Sequence, residues 1–221
     1  MNLLETILNL VYPVNCVLCG KNGEDLCVEC LAESPEAERE CARWIFPLFD
    51  YRHPPVKKAV WLLKYKGKRG LAKIFAKVLY GRILEELADL EIFENFREPI
   101  LIPIPLSTKR KNERGFNQAE LICKNLINFE ENNKINKNFT LETNILIKIK
   151  NNNEHQARIT DRSKRLKNII GSFAVQNLEK IKNRNIILID DVTTTGATLN
   201  EAKKMLKQAG AKKVIAFTVA H

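Results

Sequence analysis

No part of this chain limits the fold more than the stretch from Asn185 to Gln208. Four consecutive apolar residues, Ile186, Ile187, Leu188 and Ile189, lead to Asp190 and Asp191. Then come Val192-Thr193-Thr194-Thr195-Gly196-Ala197-Thr198 and a helical pattern from Ala197 to Gln208. A strand that is apolar on both sides is buried on both faces, as a central strand of a parallel sheet under helices is. Gly210 stops the helix, and Val214 to Val219 forms the next strand. The unit therefore reads strand, loop, helix, strand, with the two carboxylates at the carboxyl edge where open parallel sheets bind ligands.

The rest of the chain fits the same plan. Trp44 to Tyr51 reads as a strand interrupted by Pro47, followed by a break at His53-Pro54-Pro55. Val56, Ala59, Val60 and Leu63 recur at helical spacing up to Lys64-Tyr65-Lys66-Gly67, and Gly70 to Leu90 reads as a longer helix. Pro99 to Pro105 is a buried strand entering a loop, Phe116 to Phe129 a helix, and Glu130 to Asn138 a mobile polar loop. Ile145 to Lys150 alternates like a strand, Asn151 to Glu154 is a turn, Arg162 to Asn168 a basic helix and Phe173 to Val175 a short strand. Strands alternating with helices imply an α/β fold with a mostly parallel sheet and helices on both faces. At the N-terminus, Leu3, Leu4, Ile7, Leu8 and Val11 share one face of a short helix. It has no preceding basic residue and no small-residue cleavage pattern, so it makes a poor signal peptide. No apolar run reaches the roughly 20 residues of a membrane span. The expectation is a cytoplasmic chain without an integral membrane segment.

Four of the six cysteines form Cys16-x2-Cys19 and Cys27-x2-Cys30, with Gly20 and Gly23 in the loop between the pairs. Two such pairs bring four thiolates to one tetrahedral Zn²⁺. Two disulfides would need an oxidising compartment, and bridging residues three apart is geometrically awkward. A structural zinc is the expectation, because four thiolates leave no open position for catalysis. Cys123, among Leu121, Ile122 and Leu126, reads as a small core residue.

Charge divides the chain at the same place. Residues 1–42 hold two basic against eight acidic side chains, a net −6, so of the whole-chain +10 residues 43–221 carry +16. The expected organisation is a helix and four-cysteine knuckle in 1–42, then an α/β domain in 43–221. A domain this basic suits polyanionic partners, nucleic acid or phosphorylated small molecules.

The loop after Asp191 carries the chemistry. Its small residues, hydroxyls and single glycine let backbone N–H groups wrap a phosphate, and the following helix N-terminus adds partial positive charge. Carboxylates would repel a phosphate but suit the vicinal hydroxyls of a sugar. The bland alternative is a threonine capping an ordinary helix. A cap needs one hydroxyl, whereas here four threonines follow two acids.

The segment ILIDDVTTTGAT resembles the phosphoribosyl pyrophosphate motif of type I phosphoribosyltransferases. The resemblance narrows to the ComF family of competence-associated proteins, which couples a four-cysteine zinc element to a phosphoribosyltransferase-like domain. It is carried by Cys16 to Cys30, by Leu63-Lys64-Tyr65-Lys66-Gly67, and by Pro103-Ile104-Pro105 followed by Arg110 and Arg114-Gly115-Phe116-Asn117-Gln118. Gln156 followed by Arg165, Asn168 and Phe173, and the acidic and threonine loop itself, complete it. The Asn/Lys-rich segment 130–140 departs from the pattern. The resemblance implies that Asp190 and Asp191 are the catalytic pair and hold the ribose hydroxyls. It places the 5-phosphate on Thr193, Thr194, Thr195, Gly196, Ala197 and Thr198, and pyrophosphate near Ile102-Pro103-Ile104 with Arg110 or Arg114. It implies Mg²⁺ bound with phosphoribosyl pyrophosphate if the site turns over.

Two functions follow from the resemblance. One is single-stranded DNA handling during natural transformation, with a nucleotide-like ligand and other competence proteins as partners. The other is transfer of ribose 5-phosphate to a nitrogenous acceptor. For the DNA itself, Lys57, Lys58, Lys64, Tyr65, Lys66, Lys68 and Arg69, interleaved with Trp61, are the candidate contacts, since cations track phosphates and rings stack bases. The competing reading buries Trp61 in the core and leaves the lysines in water.

Overall fold

The computed structural model describes residues 14–37, 42–132, 139–149 and 171–221. The expectations for the helix at 1–12, the turn at 151–154 and the basic helix at 162–168 fall outside these residues, as do Cys41, Gln156, Arg165 and Asn168.

Among the described residues, a short helix α1 (Val28–Ala32) follows the first cysteines. The next elements are β1 (Ile45–Phe49), α2 (Pro54–Tyr65), α3 (Gly70–Glu94) and β2 (Ile100–Pro103). They continue as α4 (Thr108–Arg114), α5 (Gln118–Asn132), β3 (Thr140–Leu141), β4 (Leu146–Lys148) and β5 (Phe173–Val175). The chain closes with β6 (Asn185–Val192), α6 (Ala197–Gln208) and β7 (Lys213–Ala220). The main sheet runs in the order β1-β7-β6-β2-β3 and every recorded pairing in it is parallel. β4 and β5 form a separate antiparallel pair.

Alternation along the strands divides the interior in two. Leu101, Ile187, Ile189, Ile215 and Phe217 face a cluster built with Val56, Val60 and Leu63 of α2, Phe75 and Leu79 of α3, and Ile122 and Leu126 of α5. Ile100, Ile102, Ile186, Leu188 and Val214 face the opposite side, against Leu199, Ala202 and Leu206 of α6. Helices thus cover both faces, as expected. The buried cysteines Cys16 and Cys27, with Leu26 and Leu31, join the first cluster, so the N-terminal knuckle shares its apolar contacts with α2 and α3. Asp25 of the knuckle pairs with Lys68 at 3.3 Å and fills the space a Cβ at Gly70 would need.

Several expectations change. β1 runs straight through Pro47 because it is the edge strand, paired only with β7 in the sheet, so one side needs no N–H there. The polar loop expected from Glu130 does not start there, and residues 133–138 lie outside the described residues. α5 continues to Asn132, and Glu130 is buried where it accepts a hydrogen bond from Tyr80 Oη at 3.3 Å. β6 extends beyond Ile189 through both aspartates to Val192. α4 and β3 were not foreseen. α4 is a highly charged heptapeptide whose signals are caps: Ser107 Oγ accepts the Arg110 N–H at 3.4 Å, and Gly115 closes it at φ 74°. Cys123 is a fully buried core residue, as read.

Candidate sugar-phosphate and metal sites

β6 lies between β7 and β2, so its tip is the centre of the carboxyl edge. Ile104 N donates to Ile189 O at 2.9 Å, which brings the Pro103-Ile104-Pro105 turn alongside Asp190. Asn117 Nδ2 donates to the Ile104 carbonyl at 3.0 Å and ties α4 and α5 to that turn.

Strand alternation separates the two aspartates. Asp190 continues the Ile186 and Leu188 face, the side that carries α6. Asp191 continues the Ile187 and Ile189 face, the side of α2. There Lys64 Nζ meets Asp191 Oδ1 at 2.8 Å, and both side chains are largely buried. Asp190 Oδ1 accepts the Asp191 N–H at 2.8 Å. Burial, and next the charge of Asp191, push the Asp190 carboxyl up to about 7, against the pull of that N–H and of Lys64 and Lys148.

The loop is open where a phosphate would need it. Among the described residues, no protein acceptor is recorded for the N–H groups of Thr194, Thr195, Gly196 and Thr198. The Thr193 N–H is spent on Ala220 O at 3.0 Å, and the Ala197 N–H makes a long 3.4 Å contact with Thr195 Oγ1. The cap of α6 is Gly196, at φ 70° and ψ 0°, with no side-chain cap. The threonines therefore do not serve as an ordinary hydroxyl cap. A Cβ at Gly196 would stand 3.1 Å from Ile45 Cδ1 and crowd that methyl, and the left-handed backbone at φ 70° is what favours glycine there. His221, not foreseen as a site residue, donates from Nε2 to the Thr194 carbonyl at 2.8 Å and braces the loop from β7.

The arginines divide. Arg110 is exposed on α4. Arg114 donates to Gln118 Oε1 at 2.9 Å and lies over the Tyr65 ring at 5.2 Å, which joins α4 to α2. On the α2 face Trp61 does not lie in the core, while Lys57, Lys58 and Lys66 do stand in water as the competing reading has it. Trp61 is 44% and Tyr65 59% exposed, with ring centroids 6.0 Å apart and Lys66 Nζ 5.5 Å over the indole. Lys57 and Lys58 are exposed on the same helix. Two expected DNA contacts are engaged elsewhere: Lys64 with Asp191, because position 64 follows Val60 by one helical turn on the buried face, and Lys68 with Asp25. Arg69 lies over the Phe116 ring at 4.8 Å. The sequence signal for Lys64 was its place on the apolar stripe of α2.

The sulfurs of Cys16, Cys19, Cys27 and Cys30 lie within 4.8 Å of one another. A tetrahedral zinc with 2.3 Å bonds sets its sulfurs about 3.8 Å apart, so small inward shifts make the four a metal-holding set. Burial pushes the Cys16 thiol up, but hydrogen bonds from the N–H groups of Cys19, Cys27 and Leu18 outweigh it and hold it down to about 6.

The family model for the phosphoribosyl transferase domain matches residues 129–221, which include the whole β6, loop and α6 unit. Competence protein ComFC of Streptococcus pneumoniae is 30% identical over 206 residues, covering 89% of this chain and 81% of that protein. Competence protein F of Haemophilus influenzae is 27% identical, covering 89% and 81%. DNA utilization protein YhgH of Escherichia coli O6:H1 is 23% identical, covering 90% and 85%. Among the described residues no helix is long and apolar enough to cross a membrane. The parallel sheet with its acidic and threonine edge is a phosphoribosyltransferase-type fold, and with the four-cysteine knuckle ahead of it the chain belongs to the ComF/ComFC family of competence proteins.

Proposed function

We propose that this protein handles single-stranded DNA in the cytoplasm during natural transformation, using a sugar-phosphate cradle at the sheet edge and the adjoining aromatic face of α2. The observation that carries the reading is one juxtaposition: Asp190 stands beside a loop whose N–H groups at Thr194, Thr195, Gly196 and Thr198 have no recorded protein acceptor. Backbone N–H groups and a helix N-terminus take the phosphate. Asp190 accepts from a sugar hydroxyl, and Arg110 on α4 meets further phosphate oxygens bidentately. Thr193, Thr195 and Thr198 supply hydroxyls around the same loop. The ligand is phosphoribosyl pyrophosphate or a nucleotide-like end. The names of the relatives, competence proteins and DNA utilization proteins, support the cellular role.

Residues 1–42 form the knuckle unit and 43–221 the phosphoribosyltransferase-like unit. One zinc, held by Cys16, Cys19, Cys27 and Cys30, supports folding of the knuckle and supplies no catalytic position. Asp191 is taken by Lys64, which leaves Asp190 as the carboxylate open to a ligand, and Mg²⁺ would enter with phosphoribosyl pyrophosphate if the site turns over.

DNA binding is tested by fluorescence anisotropy on a single-stranded oligonucleotide between 50 and 200 mM salt. The logarithm of affinity should fall by about 0.7 per neutralised phosphate for each log unit of salt. Binding indifferent to salt removes the reading. Replacing both Asp190 and Asp191 with Asn should abolish sugar-phosphate binding, and a double variant that binds normally means the site lies elsewhere.

The intact motif supports a second reading, transfer of ribose 5-phosphate from phosphoribosyl pyrophosphate to a nitrogenous acceptor. Displacement at the anomeric carbon passes through an oxocarbenium-like state that a nearby carboxylate stabilises. Pyrophosphate release across a panel of acceptors separates the two. Release establishes the enzyme, and tight binding without release leaves a binding protein.

A further inference from the structure

We propose that Lys64 is the resident cation of the sugar-phosphate site: by neutralising Asp191 it leaves Asp190 to hold the sugar, so that a phosphorylated pentose binds without a divalent ion. The proposal rests on the sugar-phosphate reading above and deepens it.

The argument starts from the strand. In β6, alternation sends Asp191 towards α2 and Asp190 towards α6, whose N-terminus closes the phosphate loop. Two adjacent carboxylates beside such a loop would oppose an incoming phosphate. Lys64 answers that opposition from the last turn of α2, on the same stripe as Val56, Val60 and Leu63. Its ammonium stands 2.8 Å from Asp191 Oδ1 in a largely buried pair, whereas Lys57, Lys58 and Lys66 of the same segment are exposed. A lysine on the apolar stripe has a fixed neighbour and does not act as a solubilising charge. Asp191 is thus matched by an ammonium group supplied from the α2 face. Part of the electrostatic task that a divalent cation performs between acidic residues and phosphate oxygens is met here by a side chain of the chain itself.

A lysine that only braced α2 against the sheet would affect stability and leave the ion dependence of binding unchanged. The test is therefore titration calorimetry of ribose 5-phosphate into the full zinc-loaded chain, in magnesium-free buffer and with millimolar Mg²⁺. Ribose 5-phosphate is chosen over phosphoribosyl pyrophosphate because the pyrophosphate group itself recruits magnesium. Wild-type affinity should change by less than about twofold between the two buffers, and Lys64→Arg should behave similarly, because both keep the charge beside Asp191. Lys64→Met should lose at least about tenfold without magnesium, as expected when one member of a buried charge pair is removed, and should regain most of it when magnesium is added. Because Lys64→Met leaves Asp191 buried and unpaired, its fold is checked by zinc content and thermal melting. The variant Lys64→Met with Asp191→Asn removes both charges together, so its affinity, whatever its level, should not respond to magnesium.

Wild-type binding that requires magnesium overturns the role of Lys64 while leaving the sugar-phosphate site standing. So does Lys64→Met binding at wild-type strength without magnesium, or magnesium dependence in the double variant. Failure of the wild type to bind ribose 5-phosphate in either buffer removes the sugar-phosphate reading itself, and this proposal with it.

Discussion

Asp190→Asn should make this protein more stable, and the gain should grow with pH. The folded chain raises the Asp190 carboxyl to about 7, through burial first and the charge of Asp191 second. In the unfolded chain an aspartate titrates at about 3.9. Between these values the folded state binds more protons than the unfolded state, so stability falls as pH rises. The cost is absent below about pH 4, accumulates up to about pH 7 and is constant above it. An interval of about three pH units at 1.4 kcal/mol each sets a ceiling of about 4 kcal/mol. Asp190 keeps some contact with solvent, so about 1–3 kcal/mol is the working figure. Asparagine is nearly isosteric and its Oδ1 still accepts the Asp191 N–H, so it removes the charge and keeps the hydrogen bond. In a chain of this size each kcal/mol moves the melting temperature by about 2–4 °C. Thermal or urea unfolding of both proteins from pH 5 to pH 8.5 should show a widening gap that levels off above pH 7, accompanied by loss of sugar-phosphate binding. A gap that does not change with pH, or a variant less stable than the wild type at pH 8, refutes the reasoning. The expected pattern is that of a functional site held at a cost to stability.

Gly196→Ala forces a side chain into the left-handed region at about 1–2 kcal/mol and presses on Ile45, so melting should fall by several degrees and phosphate binding should weaken; an unchanged melt refutes it. Trp61→Ala and Tyr65→Ala should each weaken single-stranded DNA binding by about 1–3 kcal/mol in anisotropy titrations, with helicity by circular dichroism unchanged, and wild-type affinity in both would rule out base stacking on these rings. Elemental analysis of freshly reduced protein should find about one zinc per chain. Cys30→Ser should lower both the zinc content and the melting temperature, since Leu26 and Leu31 lose buried packing of about 1.5–3 kcal/mol each; full stability without metal would contradict this.

What the sequence by itself determined is what neighbouring residues encode together. The strand Ile186 to Ile189, the acidic pair, the threonine loop, the helix from Ala197 to Gln208 and the stop at Gly210 are contiguous, so local periodicity and turn chemistry were enough to place them. The cysteine pairs were legible for the same reason, because metal ligands at x2 spacing come together within one turn. Elements with little local periodicity were not legible: five of the seven residues of α4 are charged, and β3 is two residues long; β1 was read as a strand, but only its edge position shows why Pro47 does not interrupt it. Tertiary structure alone decided which partners the side chains take. Glu130 left an apparently polar loop for a buried bond with Tyr80, fifty residues away. Lys64, one of six basic candidates for DNA contact, became the partner of Asp191, and the two aspartates that the sequence reads as a pair were sent to opposite faces of the sheet. A strand's alternation is written in its own residues, but which helix covers each face depends on packing between distant segments. That packing decides which carboxylate is left free to hold a ligand.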